Sequence, residues 1–210
     1  MRGKAFAAGV GMVPFGKPGA AEAYDVMAAA AVRKALDNAG LRYDAVEQGI
    51  VGYVYGDSTS GQRALYEVGM TGIPIVNVNN NCSTGSTALF LARQLVESGA
   101  VDCVLALGFE QMQPGALSGQ WTDRPSPFSR FNELCDEIAP YDVPIALRYF
   151  GGAGKEYMER YGVKPNIFAS VRAKASRHAA HNPLALFRKV VSEEEVMAAP
   201  LVFPEAGMTR

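Results

Sequence analysis

The chain has 210 residues, 49% of them hydrophobic, with 20 basic and 21 acidic side chains and a formal net charge of −1. That length supports one substantial core, and the balanced charge leaves no large basic field to draw in nucleic acid or an anionic membrane. The three cysteines, Cys82, Cys103 and Cys135, are an odd number at irregular spacing, which speaks against a disulfide framework or a zinc site and for a reducing compartment, the cytoplasm by default.

Along the chain, Lys4 to Val10 is a short apolar run closed by Gly9 and Gly11, and it predicts a first strand rather than a signal sequence. Ala21 to Asn38 carries Met27, Ala31 and Ala35 at helical spacing, with Gly40 as a stop. Gln48 to Tyr55 reads as a strand ending in the turn Gly56-Asp57. Gln62 to Val68 reads as a short helix and Pro74 to Val78 as a buried strand. Cys82 to Ser98, closed by Gly99, reads as a helix with Ala88, Leu91 and Leu95 on its inner face. Asp102 to Gly108 is almost wholly apolar, as expected of a strand buried on both faces. This alternation predicts an α/β fold with a parallel or mixed sheet and helices on both sides. No apolar run is long enough to span a bilayer.

From Gln111 to Tyr141 the chain is rich in Gly, Pro, Ser and polar residues, and a long irregular segment is expected. Asp142 then precedes Pro144 as a cap and early helical proline. Ile145, Tyr149, Ala153, Tyr157 and Tyr161 form one helical face, interrupted at Lys164-Pro165. Phe168, Val171 and Ala175 start a further helix that ends near His178. Ser192 and Glu195 have the spacing of a capping box.

The candidate site is Cys82, in the stretch VNVNNNCSTGSTALF from Val76 to Phe90. A cysteine where a strand turns into a helix sits beside unpaired N–H groups that favour a thiolate, and the small Ser83, Thr84, Gly85 and Ser86 leave room for a substrate. Read from the residues alone, Cys82 is equally a small buried residue at a helix start. His178 and His181, in ASRHAAHNP, have no companion carboxylate or cysteine cluster and read as surface or capping groups. Gly9-Val10-Gly11 lacks the third glycine of a dinucleotide fingerprint, since position 14 is proline. Asp57 reads as a turn residue bonded to its own backbone. Cys103 reads as packing, and Cys135, flanked by carboxylates in NELCDE, as a poor nucleophile.

The runs Gly9 to Ala20, Gly52 to Met112, Gly151 to Gly162 and Glu194 to Phe203 together resemble the thiolases, in particular the sterol carrier protein X type. The resemblance covers nearly the whole chain and implies a thiolase-like fold, the N-terminal half with a mixed sheet in a five-layer-type arrangement and an inserted loop domain. It implies a core half at 1–110 carrying the nucleophile turn, a loop domain at 111–196 and a divergent or truncated end at 197–210. In that family the cysteine of the NNNC-[SA]-T-G-S pattern accepts the acyl group, and here that position is Cys82. The implied reaction is thiolysis of a 3-oxoacyl-CoA or its reverse, with coenzyme A as a substrate and no covalently bound cofactor. The loop domain would hold the thioester, which offers coenzyme A phosphates as a sharper role for Lys155, Arg160, Lys164, Arg172, Lys174 and Arg177 than a solvated helix face. The family's second half supplies a histidine-bearing loop, a G-H-P motif and a second cysteine, and none of these patterns occurs here. The resemblance implies a homodimer, with Pro74 to Val78 near its two-fold axis, or a partner bearing the missing half. The alternative is a non-catalytic acyl-CoA-binding, lipid-binding or assembly subunit built from half a thiolase. A eukaryotic source would make the peroxisome the alternative compartment.

Overall fold

The computed structural model describes residues 3–116, 121–138 and 142–209. The chain divides into two compact units, Met1–Leu117 and Ser118–Arg210.

The first unit is built on a three-stranded parallel sheet. Its elements in chain order are α1 (Tyr24–Ala39), β1 (Gln48–Gly52), α2 (Ser60–Tyr66), β2 (Ile75–Val78), α3 (Thr84–Ser98) and β3 (Val104–Gly108). The strand order is β2-β1-β3, with Gly52 opposite Val78 on one side and opposite Gly108 on the other. Helices cover both faces of β1. Val51 packs with Ala28 and Val32 of α1 and with Ala64 and Leu65 of α2, while Ile50 on the opposite face packs with Ala88 and Ala92 of α3. Successive strand residues point to opposite faces, so one short apolar strand feeds two cores. α1 ends at Gly40 and α3 at Gly99, both in the left-handed conformation that terminates a helix cheaply only at glycine.

Lys4 to Val10 is not a strand. The backbone bonds at its two ends run to helices instead: Gly3 N–H, just ahead of it, donates to Glu97 O and Val10 N–H to the Asn38 side-chain oxygen. Gly9 and Gly11 press directly on α1, where an added Cβ would lie 2.4 Å from Ala35 O and 2.1 Å from Ala31 O respectively. β3 is also less buried than its sequence implies. Leu107 is buried, Val104 and Leu105 are half-buried and Ala106 is exposed, because β3 is an edge strand whose free side borders a cavity of about 890 Å³ between the N-terminal segment, α1 and α3.

The second unit is mainly helical: α4 (Ser129–Ile138), α5 (Ile145–Tyr161), α6 (Asn166–Ala180) and α7 (Glu193–Met197), followed by the antiparallel pair β4 (Leu201–Phe203) and β5 (Met208–Thr209). The stretch 111–141 is therefore not irregular throughout. Ser129 to Ile138 forms a helix, and residues 117–120 and 139–141 lie outside the described ones. α4 places Cys135 in a buried position and Phe131 against Tyr149 of α5, with ring centroids 4.7 Å apart. Pro144 itself caps α5, without a side-chain bond from Asp142. The capping box of α7 is formed, with Glu195 N–H donating to Ser192 Oγ and Ser192 N–H to Glu195 Oε2. Phe203 is fully buried and lies so close to α5 that a Cβ on Gly151 would sit 2.4 Å from its ring. Phe203 thus ties the β4–β5 pair to α5.

Candidate active site

At the carboxyl ends of β1, β2 and β3 the chain leaves the sheet through three loops, the side of an open parallel sheet on which ligands bind. The loop after β2 carries Cys82. The helix that follows starts at Thr84, with Ser83 at its N-cap, so Cys82 stands two residues before the first helical residue rather than opening the helix as its sequence suggests. The reason lies in the bonding of the turn. Thr84 Oγ1 accepts from Asn80 N–H at 2.8 Å and donates to Asn81 O at 2.6 Å, while Ser83 Oγ donates to Asn80 O at 3.0 Å. Asn80 Nδ2 donates to Thr87 Oγ1 and Asn79 Oδ1 accepts from Asn81 N–H. Asn81 takes φ 48°, a left-handed conformation that asparagine tolerates better than most side chains. The two residues before Cys82 and the two after it are thereby pinned, while the cysteine itself is exposed. A Cβ on Gly85 would meet nothing within 4 Å, so the space in front of the turn is open.

The loop after β1 faces the same end of the sheet. A recess of about 220 Å³ is lined by Tyr53, Gly56, Asp57, Asn77 and Asn79 among others. Asp57 makes its turn through its backbone carbonyl, which accepts from Tyr53 O–H at 2.9 Å and from Ser60 Oγ at 2.8 Å. Gly52, the last residue of β1, touches the start of α3 so closely that a Cβ there would lie 2.7 Å from Thr84 Cγ2.

The loop after β3 contributes a residue that the sequence reading passed over. Glu110 accepts from Val54 N–H at 3.0 Å and from Tyr55 N–H at 2.9 Å, one carboxylate oxygen each. Next to it, the Phe109 ring stacks on Tyr53 at 5.1 Å and on Tyr24 at 5.0 Å, and Gln111 Oε1 accepts from Tyr24 N–H at the start of α1. The only signal in the sequence was a carboxylate directly after an apolar strand.

The remaining candidates take bland positions. Cys103 is half-buried just ahead of β3, and burial, with the nearby Glu47 charge adding to it, pushes its thiol above the ordinary range. Cys135 is buried in α4. In the second unit, His178 lies in the last turn of α6 and His181 is its C-cap, both exposed.

The fold and this turn define an α/β protein with an exposed cysteine held at a strand-to-helix turn on the carboxyl side of a parallel sheet. Residues 7–193 match the family model "Thiolase, N-terminal domain", and the chain belongs to the thiolase family. It is 50% identical over 204 residues to "Sterol carrier protein 2" of Oryctolagus cuniculus, covering 95% of this chain and 37% of that protein. It is 29% identical over 201 residues to "Benzoylsuccinyl-CoA thiolase subunit BbsB" of Thauera aromatica, covering 95% of this chain and 49% of that one. Among solved structures, the "Ltp2-ChsH2(DUF35) aldolase" superposes with a TM-score of 0.68 at 20% identity, covering 93% of this chain and 49% of the other. The Bacillus anthracis acetyl-CoA acetyltransferase superposes with a TM-score of 0.59 at 16% identity, covering 93% and 59%. These two likenesses concern the fold. The chain spans well under half the length of the rabbit relative. Among the described residues, no helix is long and apolar enough to cross a membrane.

Proposed function

We propose that this chain is the nucleophile-bearing half of a thiolase-type acyltransferase, with Cys82 as the residue that takes up the acyl group from a coenzyme A thioester. The observation that carries this reading is the exposed cysteine in a turn braced by Thr84, Ser83 and Asn80, within a chain of the thiolase family. In the acylation step Cys82 gives up its thiol proton to solvent, its sulfur attacks the thioester carbonyl, a new carbon–sulfur bond forms, and the bond to coenzyme A sulfur breaks. Coenzyme A leaves as a thiolate and takes up a proton from solvent. The turn keeps the sulfur at a fixed place relative to the sheet, and such positioning lowers the entropic part of the barrier.

Full turnover on a 3-oxoacyl-CoA, in either direction, also needs a base of suitable pKa and prearranged oxyanion donors, whose loss costs on the order of two or three powers of ten in rate. We assign those groups to a complementary half of the fold. The purified chain alone is then expected to show no acetoacetyl-CoA thiolysis above background. It is expected to form a slow acyl adduct on Cys82, visible by mass spectrometry and absent from Cys82→Ala. Coenzyme A binding with no adduct would instead support a non-catalytic acyl-CoA-binding or assembly subunit.

A further inference from the structure

Glu110 has no part in the acylation step, yet both of its carboxylate oxygens are committed to two consecutive backbone N–H groups, those of Val54 and Tyr55. A carboxylate accepting from backbone N–H is one of the stronger hydrogen-bond arrangements available to a protein. The bonds reinforce a second tie between the same segments: Phe109 N–H donates to Gly52 O at 3.2 Å, and the Phe109 and Tyr53 rings stack within 7° of parallel. The Tyr53 hydroxyl extends the brace by donating to Asp57 O and accepting from Ser60 N–H at 3.2 Å. Residues 53–57 are therefore held from the β3 side at one end and by their own turn at the other.

That loop is one wall of the recess, and the opposite wall, Asn77 to Asn79, runs straight into the cysteine turn. There, Asn79 Oδ1 holds Asn81 N–H. Gly52, the residue just before the braced loop, is in contact with Thr84, whose hydroxyl closes the same turn. Tyr53 N–H donates to Val78 O at 3.4 Å, so contacts lead from the braced loop toward the cysteine turn along both routes.

We infer that Glu110 is a positioning residue for Cys82: by clamping the Val54 and Tyr55 amides it fixes the wall against which the cysteine turn is set. The inference rests on the nucleophile assignment above. Glutamine keeps one acceptor and presents an N–H donor to the other amide, leaving a backbone N–H unpaired, whereas aspartate keeps both acceptor oxygens on a shorter arm.

The test uses the full chain and the rate constants for iodoacetamide modification of each cysteine, read by peptide mass spectrometry. In Glu110→Gln the ratio of the Cys82 rate to the Cys103 rate is expected to fall about fivefold, the effect of one lost hydrogen bond. In Glu110→Asp most of that loss is expected to be recovered. An unchanged or increased ratio in Glu110→Gln, or equal proportional changes at Cys82, Cys103 and Cys135, would overturn the assignment, because a merely destabilised fold moves all three together. If Glu110→Gln does not fold, hydrogen exchange on the unmutated chain decides. Alkylation of Cys82 is then expected to alter exchange of the Val54 and Tyr55 amides, and no change there would overturn the proposal. Acyl-adduct formation on the unmutated chain tests the nucleophile assignment separately, so the two can fail independently.

Discussion

β1 and β3 are neighbouring five-residue parallel strands, paired from Gln48–Val104 to Gly52–Gly108, and both are largely apolar. Four of the five residues of β1 are buried, against one in β3. The difference is one of neighbours. β1 is central, with α1 and α2 on one face and α3 on the other, whereas β3 is an edge strand beside a cavity. The contrast continues at the strand ends, where Gly52 is jammed against Thr84 and Gly108 is not crowded. Burial is thus a property of position in the sheet, and the end of β1 is the part of the sheet most tightly coupled to the cysteine turn.

The comparison can be sharpened by substitution, starting with the largest effect. Ile50→Ala removes a fully buried side chain from β1 and is expected to cost about 2–5 kcal/mol in urea unfolding, while Ala106→Ser at an exposed position of β3 stays within about 0.5 kcal/mol. Similar costs at the two sites would erase the distinction between the strands. Next come the paired glycines. Gly52→Ala places a Cβ 2.7 Å from Thr84 Cγ2 and 3.0 Å from Thr84 O, and overpacking of that kind costs about 1–3 kcal/mol. Gly108→Ala meets its nearest neighbour, Gly85 Cα, at 3.8 Å, an ordinary contact, and is expected to change stability by less than about 0.5 kcal/mol. An equal loss in both would mean that the close approach of β1 to α3 does not matter.

The smallest effect concerns the Cys103 thiol just ahead of β3. Burial raises its pKa first and Glu47 raises it further, so its neutral form persists to higher pH than in a free cysteine. Cys103 alkylation is therefore expected to keep rising with pH beyond the point near 8.5 where an unperturbed thiol is half ionised. Glu47→Gln removes a negative charge that opposes thiolate formation, so the profile should move modestly to lower pH. A shift in the opposite direction, measured by rate against pH in both proteins, would show that the Glu47 charge is not acting on Cys103.

Much of this architecture was legible in local pattern. α1 and α3 follow from apolar residues at helical spacing closed by Gly40 and Gly99, and β1 and β2 from short apolar runs ahead of turns, although β2, expected to be buried, lies at the sheet edge with no buried residue. The Ser192–Glu195 capping box needed only a spacing of three residues, and it formed. α4 was missed because the glycines, prolines and serines around it mask a helix whose core-facing Cys135 and aromatic Phe131 find their partners only in three dimensions.

The sequence by itself determined the alternation of strands and helices, the family and the one cysteine set in a polar turn between a strand and a helix, since each of these resides in residues close together along the chain. Tertiary structure alone decided the rest. Lys4 to Val10 looked like a strand, but its glycines fit against α1 and the bonds at its two ends go to helices. Cys82 stands ahead of α3 because the hydroxyls of Thr84 and Ser83 capture the backbone of Asn80 and Asn81. Glu110 reaches back 56 residues to Val54, a pairing that no local spacing encodes, because only folding of the parallel sheet brings the ends of β1 and β3 side by side.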